Sequence, residues 1–184
     1  MIEIRIHGRG GQGAVTSAEL LAQAAVAKGK FAQAFPSFGP ERRGAPVVAF
    51  VRINEAAIRT RERIYHPDVV AVLDSSVLNF VKVADGLKAE GTLIINAPIC
   101  EETCRADYGF SGRLALVDAS KIAKEVLGVP ITNTTMLGAI LKATRVLEPD
   151  DLAEAMAERF GRLGEKNLQA LKAAFETTLI QERG

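Results

Sequence analysis

Three short apolar runs constrain the fold of this chain most strongly. They are residues 69–73 (VVAVL), 92–96 (TLIIN) and 114–117 (LALV). None shows the alternation of a strand with one wet face, so each reads as a strand buried on both sides, the habit of a parallel sheet. A helix is expected after the first of these runs and after the third. Strands alternating with helices predict an α/β fold with a mainly parallel sheet wound by helices on both faces. Asp74 ends the first run, and Ser75 or Ser76 is placed to cap the helix expected after it.

The N-terminal unit repeats the pattern with a distinctive turn. Ile2, Ile4 and Ile6 alternate with Glu3, Arg5 and His7, a strand pattern, and Gly8-Arg9-Gly10-Gly11-Gln12-Gly13 then fits G-x-G-x-x-G. A helix is expected over residues 14–28, closed by Gly29, with Ala14, Ala18, Leu21, Ala22 and Ala25 on one stripe small enough to sit close to a sheet. Strand, glycine turn and helix in this order make a Rossmann-like unit whose free N–H groups and positive helix end suit an anion. Arg9 adds a charge, and Thr16 and Ser17 add hydroxyls. A ligand-free tight turn explains the glycines about equally well. A dinucleotide site also needs an acidic residue about 20 positions on. None lies between Glu19 and Glu41, which argues against NAD, and no Gly-Lys-Ser/Thr follows for a P-loop.

Residues 31–35 suggest a short strand and 47–53 (VVAFVRI) a firm one. The loop between them, SFGPERRGAP, is stiffened by proline and carries Glu41, Arg42 and Arg43. The C-terminal third reads as helical: a short helix after Asp118 to about Leu127, then residues 133–146, a helix opening at Pro149, and residues 166–179. Asn133, Thr134 and Thr135 stand where a helix cap is needed. Asp74 and Asp118 end strands, where α/β proteins place ligands, although capping explains them nearly as well. His7 reads as a strand residue rather than a catalyst. With 184 residues and no linker or repeat, residues 1–184 are expected to form a single domain.

Net charge is +1 and Trp is absent, so neither a nucleic acid nor a membrane partner is expected. No apolar stretch reaches the ~20 residues of a membrane span. The first apolar run is interrupted by charges, unlike a signal peptide, and a cytoplasmic protein is expected. Cys100 and Cys104 are the only cysteines, too few for an iron–sulfur cluster or a structural zinc, and no metal site is expected.

Taken together, GRGGQG, FGPERRGAPVVAFVRI and NTTMLGA, in this order and spacing, resemble the gamma subunit of 2-oxoacid:ferredoxin oxidoreductases. The resemblance runs from about Ile2 to Ala174. It implies a subunit, inactive alone, of an enzyme that decarboxylates a 2-oxoacid oxidatively with coenzyme A, giving acyl-CoA and CO2 and reducing ferredoxin or flavodoxin. Thiamine diphosphate and 4Fe–4S clusters would lie in partner alpha, beta and delta (or fused) subunits, with no cofactor tightly bound here. ERRGAP sides with the pyruvate type, or with branched-chain or aryl oxoacids. The resemblance implies that Gly8, Arg9, Gly10, Gly11, Gln12, Gly13, Asn133 and Thr134 contact either coenzyme A or a partner chain. It assigns a partner interface to Phe38, Glu41, Arg42, Arg43, Gly44 and Pro46. Two other readings stand beside it: a non-catalytic assembly scaffold, and an independent dinucleotide-binding oxidoreductase. No residue is assigned a catalytic role.

Overall fold

The computed structural model describes residues 1–37, 44–98 and 111–183. Seven strands form one sheet: β1 (Ile2–Arg9), β2 (Phe31–Pro36), β3 (Pro46–Asn54), β4 (Val69–Val72), β5 (Thr92–Asn96), β6 (Arg113–Val117) and β7 (Leu179–Gln181). Their order is β2-β3-β1-β4-β5-β6-β7. The three predicted apolar runs are the parallel neighbours β4, β5 and β6, and β1 pairs parallel with β4. β3 runs antiparallel between β1 and β2, and β7 antiparallel beside β6. Five of the seven strands therefore share one direction, as expected of a mainly parallel Rossmann-like sheet.

The helices are α1 (Ala14–Ala27), α2 (Ala119–Leu127), α3 (Asn133–Thr144), α4 (Ala153–Phe160) and α5 (Gly164–Thr177). All five belong to the core on one face of the sheet, where Ile4, Ile6, Val51, Ala71, Ile94 and Ala115 meet Leu21, Leu137, Met156 and Leu171. The other face carries Val70, Val72, Leu93, Ile95, Leu114 and Leu116 under Val77 and Val83. Among the described residues no α-helix lies on this second face, where the sequence reading expected helices on both. The connection from β4 to β5 crosses that face with only a 3-10 turn, Ser75–Asn79, because its valines and glycines carry no helical period. Arg5 fastens the crossing by donating from Nη2 to the carbonyls of Val83 (2.8 Å) and Asp85 (2.6 Å).

Other boundaries shift for local reasons. Asp74, not Ser75 or Ser76, caps the 3-10 turn by accepting from the Ser76 amide. The segment opening at Pro149 is a 3-10 turn, Pro149–Leu152, leading into α4. The last helix stops at Thr177 because Thr177 and Thr178 turn their hydroxyls back onto the carbonyls of Ala173 and Ala174. The residues that follow add to the sheet as β7, a strand the sequence reading missed.

His7 lies on the non-helical face of β1, 4% exposed, between Val48 and Val72 on the neighbouring strands, and neither ring nitrogen has a partner. Burial, with Arg5 close by, pushes its pKa down from 6.5 to about 3. The native state therefore refuses a proton that the unfolded chain accepts below about pH 6.5. Stability should be complete above that value and fall as pH drops, by about 1.4 kcal/mol per unit and about 2 kcal/mol by pH 5. Urea unfolding at pH 7.5 and 5 checks this, since His7→Leu should remove most of the slope. An unchanged slope in the variant assigns the pH dependence to other groups.

Candidate functional site

The parallel strands β1, β4, β5 and β6 end at a common edge. The chain leaves β1 towards β2 on one side and returns through β4 on the other, so the edge between β1 and β4 is a topological switch point, the usual ligand position in open α/β sheets. A cleft of about 450 Å³ opens there, lined by Gly11, Gln12, Asp74, Asn96, Asp118, Ser120, Ile131 and Thr132 among others.

The glycine turn is held from within. The Arg9 amide donates to Gln12 Oε1 (2.6 Å), and Gln12 Nε2 donates to Asp74 Oδ2 (2.7 Å). Gln12 thus pins the end of β1 to the end of β4. Arg9 turns away from the cleft, donating from Nε to Ser76 Oγ (2.9 Å), standing 3.5 Å from Asp74 and lying over the Phe80 ring. Burial alone would push the Asp74 carboxyl up. Hydrogen bonds from Ser76 and Gln12 together with the Arg9 charge outweigh it and hold the group below the usual carboxylate range. The Arg9 charge is therefore spent largely inside the protein.

Gly8 ends the buried stripe of β1, and Gly13 (φ 82) opens α1 with no side-chain cap and no acidic residue in the first turn. That leaves the positive end of α1 unneutralised by its own turn. Gly11 (φ 92) faces open space, with nothing within 4 Å of where a Cβ would stand. Ser17 is buried and donates to the carbonyls of Gly13 and Asn133, while Thr16 accepts weakly from Arg159. Asn133 packs against Gly13. Thr134, fully buried, donates to Asn167 Oδ1 (2.7 Å), so both lie behind the turn in the packing of α3 rather than on the cleft wall. The N-cap of α3 is Thr132, without a side-chain cap bond, and not the three residues read as caps.

The turn also meets the start of β3. Gly10 donates to the Ala45 carbonyl (2.8 Å) and Gly44 donates to the Gly10 carbonyl (3.2 Å). Gly44 and Pro46 of the expected interface thus adjoin the glycine turn. Phe38, Glu41, Arg42 and Arg43, and also Cys100 and Cys104, lie outside the described residues.

Asn96 was missed by sequence reasoning. It is nearly buried and donates to the Leu73 carbonyl (2.8 Å) and Ser120 Oγ (3.0 Å), joining β4, β5 and the start of α2. A polar residue closing the apolar run TLIIN was the available signal. Asp118 caps α2 through the Lys121 amide. One wall of the cleft thus presents a backbone turn and a helix start suited to an anion. The other presents Asp74, Asp118 and Asn96, suited to hydroxyl and amide donors.

Residues 3–177 match the family model for Pyruvate ferredoxin/flavodoxin oxidoreductase. The chain belongs to this family. It is 54% identical over 184 residues to the Pyruvate/ketoisovalerate oxidoreductases common subunit gamma of Thermococcus kodakarensis, covering 99% of this chain and 100% of that one. It is 48% identical over 180 residues to Pyruvate synthase subunit PorC of Methanocaldococcus jannaschii, covering 97% and 98%. Among solved structures, the pyruvate oxidoreductase subunit PORC of Thermotoga maritima superposes with a TM-score of 0.86 at 36% identity, covering 98% of each chain. The family match covers β1 to α5, including the sheet edge that carries the cleft, and stops before β7. Among the described residues no helix is long and apolar enough to cross a membrane, and no three His, Cys, Asp or Glu side chains converge as a metal site would require.

Proposed function

We propose that this chain is the gamma subunit of a multi-subunit 2-oxoacid:ferredoxin oxidoreductase of the pyruvate type, acting in the cytoplasm and inactive without its partners. The match of nearly the whole chain to gamma and PorC subunits carries this reading. Thiamine diphosphate and iron–sulfur clusters belong, on this reading, to the alpha, beta and delta (or fused) subunits, and electrons leave the complex to ferredoxin or flavodoxin. One relative is named as common to pyruvate and ketoisovalerate oxidoreductases. A subunit shared in this way leaves the choice of oxoacid to its partners, and the same division is proposed here.

The role of this chain is to dock coenzyme A beside the reacting centre. Two features of the cleft support this. The Gly8–Gly13 turn and the start of α1 suit a phosphate. The facing Asp74, Asp118 and Asn96 suit the hydroxyls and amides of the remainder of such a ligand. Coenzyme A supplies the acyl-accepting thiol when bound. The residues of this chain bind and orient it and take no part in bond making. Gly44 and Pro46, together with Phe38, Glu41, Arg42 and Arg43 in the same stretch of sequence, are the residues proposed to contact the catalytic subunits.

Gly11→Ala tests the docking role. Gly11 points into open space, so the added methyl projects into the cleft and strains only φ. In the assembled complex the KM for coenzyme A should rise on the order of tenfold, matching a loss of about 1.4 kcal/mol, while the KM for the oxoacid stays unchanged. Unchanged coenzyme A affinity and turnover would remove the turn from ligand binding.

A further inference from the structure

The outward side of α1 is mixed, with the exposed Glu19 and Gln23 giving way to Val26 and Ala27 at its C-terminal end. Its sequence AVTSAELLAQAAVA holds a single charge, Glu19. One side is buried through Ala18, Leu21 and Ala25, but the other leaves Val26 57% exposed beside the exposed Ala27. Alongside α1 runs α4, and between the two lies a groove of about 430 Å³ with an Ala22, Val26 and Ala155 floor. Its rim is acidic: Glu154 and Glu158 stand one turn apart on α4, both exposed. The cations nearby are engaged elsewhere, Lys28 with Asp151 at 3.0 Å and Arg159 with Glu19 at 3.8 Å. Among the described residues, Glu154 and Glu158 have no ion pair.

We propose that this groove seats a basic, amphipathic helix of another subunit of the same enzyme. The inference rests on the reading of the chain as part of a multi-subunit oxidoreductase. An alanine-rich floor between two helices admits a third helix closely, and the two uncompensated carboxylates call for Lys or Arg on its flank. A second copy of this chain is the wrong occupant. Two-fold pairing across the groove would set Glu154 and Glu158 against their own equivalents, and like charges brought together are repelled. The groove lies on the C-terminal half of α1, roughly 15 Å along the helix from the glycine turn. A subunit held there leaves the cleft open.

The test uses the complete complex, co-expressed with a tagged copy of this chain. E154K/E158K and V26D are compared with wild type and with E125K, which reverses an exposed charge on α2. Retention of partner subunits is read from 50 to 500 mM salt. At low salt the double charge reversal should cut affinity on the order of tenfold or more and flatten its salt dependence. V26D should cut affinity without that flattening, E154Q/E158Q should fall between, and E125K should behave as wild type. Thermal melting of each isolated chain separates a folding defect from a docking defect. Wild-type retention by folded E154K/E158K and V26D overturns the groove proposal and leaves the proposed function standing. A wild-type chain that captures no subunit overturns both. Dimers of the isolated chain that V26D disperses overturn the proposal in favour of self-association.

Discussion

Replacing Gly138 by alanine should cost the protein about 3–5 kcal/mol, because α3 and α5 cross at this residue with no room for a methyl group. A Cβ here would stand 2.1 Å from the Leu171 carbonyl oxygen and 2.7 Å from the Phe175 amide nitrogen. Both are backbone atoms of a helix, so no side-chain rotation relieves the clash and the helices must separate. Separation loosens Leu137, Ile140, Leu141 and Leu171, all fully buried in the larger core. The melting temperature should fall on the order of 10 °C, and the urea midpoint should drop with little change in slope. A variant within about 0.5 kcal/mol of wild type would mean that the crossing is looser than described.

A comparable loss is expected for Gly13→Val, about 3–5 kcal/mol, for a different pair of reasons. The residue sits at φ 82, which a β-branched side chain strongly disfavours. Its Cβ would also come within 2.6 Å of Asn133 Nδ2 and 3.0 Å of Asn133 Cβ. The two causes are separable. In a cycle with Asn133→Ala the amide contact disappears, while the backbone strain and the Cβ contact remain, so the double variant should be about 1 kcal/mol better than additive. Strict additivity would assign the whole penalty to the backbone. The same result makes Gly13→Val a poor probe of ligand binding and Gly11→Ala the better one.

The strands were legible because each apolar run is short, continuous and bounded by a polar residue, a signature that survives without knowing its neighbours. β7 was not legible. Three residues after a helix have no period, and only the free edge of β6 makes Leu179–Gln181 a strand. The placement of every described α-helix on one face was hidden for a related reason, since the segment that covers the other face does so through Val77 in a 3-10 turn and Val83 beyond it, without an α-helical period. At the site, the glycine turn and its position at a strand end were visible. The roles of its polar residues were not. Gln12 reads as a residue offered to a ligand until Asp74, 62 positions on, is seen to take its amide. Thr134 reads as a cap or a ligand contact until Asn167 is found beneath it. Such partners are set by tertiary packing, and neither end of the bond carries a local mark of the other.

The paired backbone bonds between Gly10 and residues 44 and 45 tie two stretches that the sequence keeps more than thirty positions apart. A grip on the head of β3 is transmitted through those bonds to the floor of the pocket, without any side chain having to relay it. On the function proposed above, assembly and ligand capture share one mechanical joint, and tightening either stiffens the other.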